Sequence, residues 1–482
     1  MKTIEKGEIV RTARETHYSS LLLPWNEKTW HNKLFLIPFL ICVPFLAFLF
    51  SVQNRPCVAN GVVLDSIGVT SSGRGGTNIA HSDNGVLIHD NPAALVGMQS
   101  GKLLDLNGEF IYPEIRYEDA YDADNSKHEV FMIPSFSFVY KQAEDSRFAF
   151  GVGVFSPAGF GTEYRLKHFM TRNTPAGTLP VTFGNQIYRS EASLIKLLAS
   201  TSYKVNENLS LGFSAGPSIQ NIELEMPYTF QRGALAGVSV VGDMDTRNSV
   251  GFTYTMGAQY KITENTVVGM AYISESRSTL KGDVDIYLPD TAPEYALFSN
   301  KQASYDLESN FEWPRSLGVG ISHKLGASHR FSSDVLWFDW ASAFDSLDIT
   351  LTDGNNAELN AALGNKIKDS FPIDWSSALA FRFGYEYFVM GSSDNIIRCG
   401  YIYNENPVSS GAQVPMIPGN VQHNVSVGYS HTWNKWEFGM ASQYMFSEKD
   451  DVTTSEILGG DFSNSSLDTK AYLLFLGAKY KF

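Results

Sequence analysis

Beyond residue 50 the chain lacks any apolar run of the roughly eighteen residues that a membrane-spanning helix needs. A mean hydropathy of −0.14 likewise excludes a bundle of such helices. Cysteine is scarce, with three in 482 residues, so no disulfide framework can hold the fold. Positive charge is in short supply: 37 Lys and Arg face 51 Asp and Glu, a net charge of −14 that argues against a nucleic-acid partner. What the chain has instead is 13% aromatic residues, 40 glycines and long stretches in which apolar residues occupy every second position.

The single apolar run, residues 34–50, is interrupted by Pro38 and Pro44 and preceded by Lys2, Lys6, Arg11, Arg14, Lys28 and Lys33. A cationic leader, a short hydrophobic stretch and small residues at Cys57 and Ala59 read as a signal peptide over residues 1–59. Its removal takes Cys42 and Cys57 with it and leaves Cys399 alone.

Alternation carries the fold. In 471–482, Tyr472, Leu474, Leu476, Ala478, Tyr480 and Phe482 share one face, which suits hydrocarbon, while the other turns partly polar through Gly477, Lys479 and Lys481. The region 101–482 predicts an all-β, transmembrane antiparallel β-barrel of fourteen strands: 101–115, 129–141, 147–164, 190–205, 209–228, 248–262, 266–286, 303–325, 329–351, 374–389, 395–406, 420–432, 435–447 and 467–482. Every other connection is short and rich in turn formers, as in Glu144-Asp145-Ser146 and Asn206-Glu207-Asn208. The others, such as 165–189 and 448–466, are long and polar, which predicts periplasmic turns and extracellular loops. An arginine facing lipid costs about 2–4 kcal/mol near the midplane, so Arg382 and Glu386 are expected in the lumen as an internal ion pair.

Residues 60–100 do not read as strand. They are rich in glycine and turn formers and too few to build a core, but a barrel this wide has room for such a segment as a plug. Here Ser72-Gly73-Arg74-Gly75-Gly76 is followed by Asp90-Asn91-Pro92-Ala93-Ala94-Leu95. Further on come Phe150-Gly151-Val152-Gly153-Val154-Phe155-Ser156-Pro157-Ala158-Gly159-Phe160-Gly161, Trp313-Pro314-Arg315-Ser316-Leu317-Gly318 and Ile417-Pro418-Gly419-Asn420. Five such pieces in this order resemble the FadL-type outer-membrane transporters of long-chain fatty acids and other hydrophobic compounds.

The resemblance implies an outer-membrane protein of a Gram-negative-type bacterium, monomeric, with no cofactor, no metal and no enzymatic activity. Its expected partners are a hydrophobic ligand, outer-membrane lipid and the barrel-assembly machinery, the last through Phe482. It implies an N-terminal hatch containing Gly73, Arg74, Gly75, Asn91, Pro92 and Ala93. It also implies passive uptake, with capture at extracellular loops and lateral release where the third strand kinks. Pro157 lacks the amide hydrogen a ladder needs, and Gly159 and Gly161 permit a bulge, so Ser156, Pro157, Gly159 and Gly161 mark that kink. Phe155 and Phe160 beside it are candidate ligand contacts. Arg165 and Lys167 are candidates for holding a carboxylate, in a loop (Arg165-Leu166-Lys167-His168-Phe169-Met170) whose cationic and apolar residues fall at helical spacing. Uptake of aromatic hydrocarbons is the alternative within the class, and a general porin or a structural or adhesive barrel the alternative outside it. No Ser/His nucleophile site is recognisable, and His81 and His89, eight residues apart, lack metal-ligand spacing.

Overall fold

A computed structural model describes residues 62–127, 130–174, 177–288, 295–458 and 462–482, with side chains of 169–181 outside the description. The expected signal peptide therefore lies outside the described residues. Strand runs through β1 (Gly101–Glu118), β2 (Ala123–Asn125), β3 (Phe131–Lys141), β4 (Phe148–Thr174), β5 (Gly177–Lys204), β6 (Leu209–Thr229) and β7 (Ser239–Thr246). It continues through β8 (Ser249–Thr263), β9 (Thr266–Ile273), β10 (Ser276–Tyr287), β11 (Gln302–Trp313), β12 (Ser316–Leu325), β13 (His329–Phe338) and β14 (Ser346–Thr352). The last are β15 (Lys366–Pro372), β16 (Ala378–Phe388), β17 (Asn395–Asn404), β18 (His423–Trp433), β19 (Trp436–Phe446), β20 (Asp450–Val452) and β21 (Ser465–Lys481). Every pairing is antiparallel, and β21 pairs with β1 from Leu103↔Lys481 to Glu118↔Ser466, which closes the sheet into an all-β barrel.

The expected count of fourteen is not matched: the described residues hold twenty-one strand segments in the one sheet. Expected strands break where the chain bends. Pro314 and Arg315 separate β11 from β12, and a helical turn, α1 (Trp340–Ala343), separates β13 from β14. Expected loops also hold strand, as in β7, β15 and β20. The largest difference is at 165–189, expected as a loop, where β4 and β5 extend into one long hairpin.

Alternation places the faces. In β16, Leu379, Phe381, Phe383, Tyr385 and Tyr387 point outward, whereas Arg382, Gly384 and Glu386 are buried inside. Exposed Val425, Val427 and Tyr429 on β18 and Tyr472, Leu474 and Leu476 on β21 continue the outer apolar belt. Lumenal positions on the same strands carry Asn424, Ser426 and Ser430, since water or polar partners replace lipid there. The short connections gather at one end, among them Asn206-Glu207-Asn208 and the two-residue turn Asn434-Lys435, where Asn434 takes a positive φ of 54°. This is the turn end and the opposite one the loop end.

Candidate functional site

Residues 62–100 are buried almost throughout and bond to strands from all round the ring. The backbone N–H of Gly68 donates to Glu109 Oε1 (2.7 Å), that of Gly75 to Ser426 Oγ (3.0 Å) and that of Asn78 to Asp334 Oδ2 (2.7 Å), reaching β1, β18 and β13. Gly75 has φ +64°, and a Cβ there would stand 2.7 Å from Phe383 O, so only glycine fits this approach. Gly73 lies against Gly428. Asn91 caps the following 3-10 helix (Pro92–Gly97) by accepting from Ala93 N (3.2 Å), and Pro92 occupies its first position. Ala93 O accepts from Ser202 Oγ and Ser210 Oγ, both 2.9 Å. Of the six residues expected in the hatch, Gly75 and Ala93 thus bond to the wall, Gly73 lies against it, and Asn91 and Pro92 begin the 3-10 helix.

Arg74 is fully buried at the centre of an ionic network. Its guanidinium donates to both carboxylate oxygens of Asp83 (2.7 and 3.0 Å), to Asn78 Oδ1 (2.7 Å) and to Thr77 O (2.7 Å), and it lies 3.5 Å from Glu386 Oε1. Glu386 also pairs with Arg330 and, at 2.8 Å, with Arg398. The expected pairing with Arg382 is corrected: Arg382 donates to Gly76 O at 3.3 Å, and the partners of Glu386 come from strands β13 and β17 and from Arg74. Burial opposes a charge on Asp83, but Arg74 and Arg330 outweigh it and hold the carboxyl well below its ordinary range. Burial, with Arg74 and Arg330 nearby, holds the His81 imidazole well below its ordinary range, 3.8 Å from Asp83 and 4.0 Å from Glu386. With guanidinium groups already on both carboxylates, this is an ion network and not a cation cage. A polar cavity of about 420 Å³ at the turn end reaches His81 and Arg330, so water touches its edge.

The kink in β4 is a bulge. Phe155 pairs with Lys196 and Ala158 with Leu194, so Ser156 and Pro157 together oppose Ile195. The ladder between β3 and β4 runs from Lys141↔Ala149 to Phe136↔Val154 and stops there. Pro134 on β3 and Pro157 on β4 both lack the N–H that would continue it. Beyond the stop, β4 is met by residues 62–64: Leu64 N donates to Pro157 O (2.9 Å), Gly159 N donates to Val62 O (3.0 Å), and Val63 bridges to Ala158. Towards the loop end, Lys127 N donates to Glu163 O (2.8 Å). Gly161 continues in regular register opposite Glu191.

Phe155 is buried among Ile88, Leu95 and Leu198, with its ring 5.9 Å from that of His89. Phe160 joins a second and larger apolar cluster and lies 6.3 Å from Trp313. Arg165 and Lys167 are exposed on the outer side of β4, while Leu166 and His168 turn inward. The helical spacing of this stretch is overruled by the strand's two-residue period, and neither cation faces the lumen. The sequence reading missed the aromatic cluster towards the loop end, where Phe344 packs edge-on or tilted against Phe311, Trp313, Trp340 and Trp375 with centroids 4.8–6.2 Å apart. Nearby, Leu224, Met226, Phe230, Met244, Leu351 and Phe371 help to line a wholly apolar cavity of about 60 Å³.

Comparison with known proteins adds an independent line. Residues 51–482 match the model of a family described as outer membrane protein transport protein (OMPP1/FadL/TodX). The chain is 22% identical over 374 residues to NMB0088 of Neisseria meningitidis serogroup B, provisionally assigned as an outer membrane protein, covering 73% of this chain and 78% of that one. Among solved structures it resembles a Pseudomonas aeruginosa FadL homologue (18% identity, TM-score 0.69, covering 88% of this chain and 100% of that one). It also resembles the Pseudomonas putida toluene transporter TodX (18%, TM-score 0.67, 88% and 100%) and the Ralstonia pickettii toluene transporter TbuX (19%, TM-score 0.64, 87% and 99%).

Proposed function

We propose that this chain, which belongs to the OMPP1/FadL/TodX family of outer membrane transport proteins and crosses the outer membrane of a Gram-negative bacterium as a β-barrel, takes up long-chain fatty acids by passive diffusion. The family transports hydrophobic compounds; the fatty-acid substrate, the hatch and the route are our reading. Ligand enters among the loops and gains roughly 25 cal/mol per Å² on burying apolar surface against the aromatic cluster. Residues 60–100 act as the hatch that fills the lumen beneath it. Release is sideways, between β3 and β4, into the bilayer, and the protein works as a monomer.

One observation carries this reading: the β3–β4 ladder ends at Phe136↔Val154, and between there and Glu163, where Lys127 meets β4 again, the strand is covered not by wall but by residues 62–64. A solute leaving there need not cross water. Aromatic hydrocarbons are the second reading, favoured by the size of the apolar cavity, about 60 Å³, which is closer to one ring than to an extended acyl chain. A cavity of about 150 Å³ holds benzene, so either ligand requires side chains to move.

The test is uptake of radiolabelled oleate, with toluene as comparison, by cells carrying this protein in place of their own fatty-acid transporter. The double variant V63C/A158C, at a bridge whose geometry suits a disulfide, should abolish uptake when oxidised and restore it on reduction. Uptake indifferent to the crosslink rejects the lateral route. Entry of toluene alone transfers the reading to aromatic hydrocarbons.

A further inference from the structure

Towards the loop end the sheet forks at β6. Residues 209–220 of β6 pair with β8 and continue the main ring through β9, β12, β13 and β16. Residues 223–229 pair instead with β7 and lead through β10, β11 and β14 to β15. Among the described residues β15 has no ladder partner except β14, so it is the free edge of this second branch. The inner face of the branch encloses the apolar cavity of about 60 Å³, lined from β6, β7, β10, β14 and β15 by residues that include Tyr228, Phe230, Val240, Ile286, Leu347 and Phe371. The branch is thus a cup whose two ends, β6 and β15, meet across the cavity, where the rings of Tyr228 and Phe371 lie 6.0 Å apart.

One carboxylate ties those ends together. Asp369 on β15, 5% exposed, accepts at Oδ2 from the Tyr228 hydroxyl (2.6 Å) and the Gln231 N–H (2.8 Å), and at Oδ1 from the Arg232 N–H (2.9 Å). The β6–β7 connection is closed by its own backbone, with Phe230 N donating to Val238 O and Gly237 N to Phe230 O, both 2.9 Å. The consecutive amides of Gln231 and Arg232 remain, and both are aimed at Asp369. Hydrogen bonds to a charged group are stronger than neutral ones, and all three break together when β15 moves away. Arg232 is exposed, so water reaches the joint and rehydrates the donors and the carboxylate once they part. The net cost of parting is then modest, which suits a contact that opens and closes.

We infer that Asp369 is the latch of this cup: it positions β15 against the β6–β7 connection, and a hydrophobic ligand enters the cavity from the loop end when the three bonds release. This rests on the uptake reading and deepens it, because it names the residue that sets the rate of capture. A ring needs more room than about 60 Å³, and the free edge of a sheet can swing aside to supply it where a strand laddered on both sides cannot. The latch closes over the cavity whether it is empty or filled. It therefore governs how fast a guest comes and goes and not how tightly the guest is held.

The experiment is fluorine NMR exchange of para-fluorotoluene with the full barrel in phosphatidylcholine nanodiscs, with empty nanodiscs as background. D369A should speed binding and release alike by roughly ten- to a hundredfold, with affinity unchanged to within about threefold. Y228F, which removes one of the three donors, should speed both by roughly three- to tenfold. Where D369A is not recovered as a folded barrel, D369N is read in its place, since its amide turns a donor against a backbone N–H. Wild-type rates in the variant overturn the latch. Faster release without faster binding overturns it as well, because Asp369 then only shapes the cavity. A folded wild type that binds no para-fluorotoluene also overturns it, because no guest then enters the cup. The uptake reading is judged separately, by entry of oleate and toluene into cells, and stands or falls independently of these results.

Discussion

The turn-side and loop-side halves of the lumen are filled by opposite chemistries. Towards the turns, Arg74, Asp83, Glu386, Arg330 and Arg398 interlock, and the backbone amides of Gly68, Val69, Gly75, Asn78 and Ile79 donate to side chains of the wall. Towards the loops, rings of Phe311, Trp313, Trp340, Phe344 and Trp375 meet edge to face or tilted. Hydrogen bonds and ion pairs are directional and fail abruptly when displaced. Apolar packing tolerates rearrangement at modest cost. One half therefore specifies a single position for the segment within it, and the other can re-form around a guest.

The largest test of that contrast is R74A, which leaves Asp83 to Arg330 alone and removes a partner of Glu386. It should weaken docking of the segment by about 3–5 kcal/mol, seen as faster hydrogen exchange across residues 68–84 and as ion conductance in planar bilayers. Unchanged exchange would mean that the network is ornamental. Next is M226A, which enlarges the apolar cavity at a cost of about 2–5 kcal/mol; toluene should recover part of the lost thermal stability here and none of it in R74A. Equal rescue in both variants would erase the distinction between the halves.

The smallest expected effect is acidification from pH 7.5 to 5.5. His81 is neutral when docked because its folded pKa lies well below the ordinary value near 6.5, whereas a released His81 takes up a proton. The docked state thus loses stability as pH falls below about 6.5, by about 1 kcal/mol at pH 5.5. Asp83, with its pKa lowered, adds a loss of the same sign only further down, as pH falls from the ordinary carboxylate range towards its own depressed value. Intrinsic-rate-corrected hydrogen exchange of 68–84 reads the change, and H81Q should flatten it.

The barrel faces were legible because a period of two leaves little ambiguity where one side is lipid. Arg382 and Glu386 fell inside, and Tyr472, Leu474 and Leu476 outside, as their alternation requires. Pro157 was readable for a local reason, the missing amide. Arg165 to Met170 was not, because six residues satisfy helical and strand periods alike and only pairing with β5 decides between them. The partners of Glu386 were hidden by distance along the chain, since Arg74 lies 312 residues away.

Two hydrogen bonds, Leu64 N to Pro157 O and Gly159 N to Val62 O, close the edge of β4 where the wall is broken. Hydrocarbon offers no substitute donor or acceptor, and each group left bare in it costs several kcal/mol. On the proposed lateral route, opening this edge without cargo would cost about 4 kcal/mol or more, which keeps it shut for all but roughly one part in a thousand of the time. A closure of that kind, if the proposed route is used, would need neither an energy source nor a sensor.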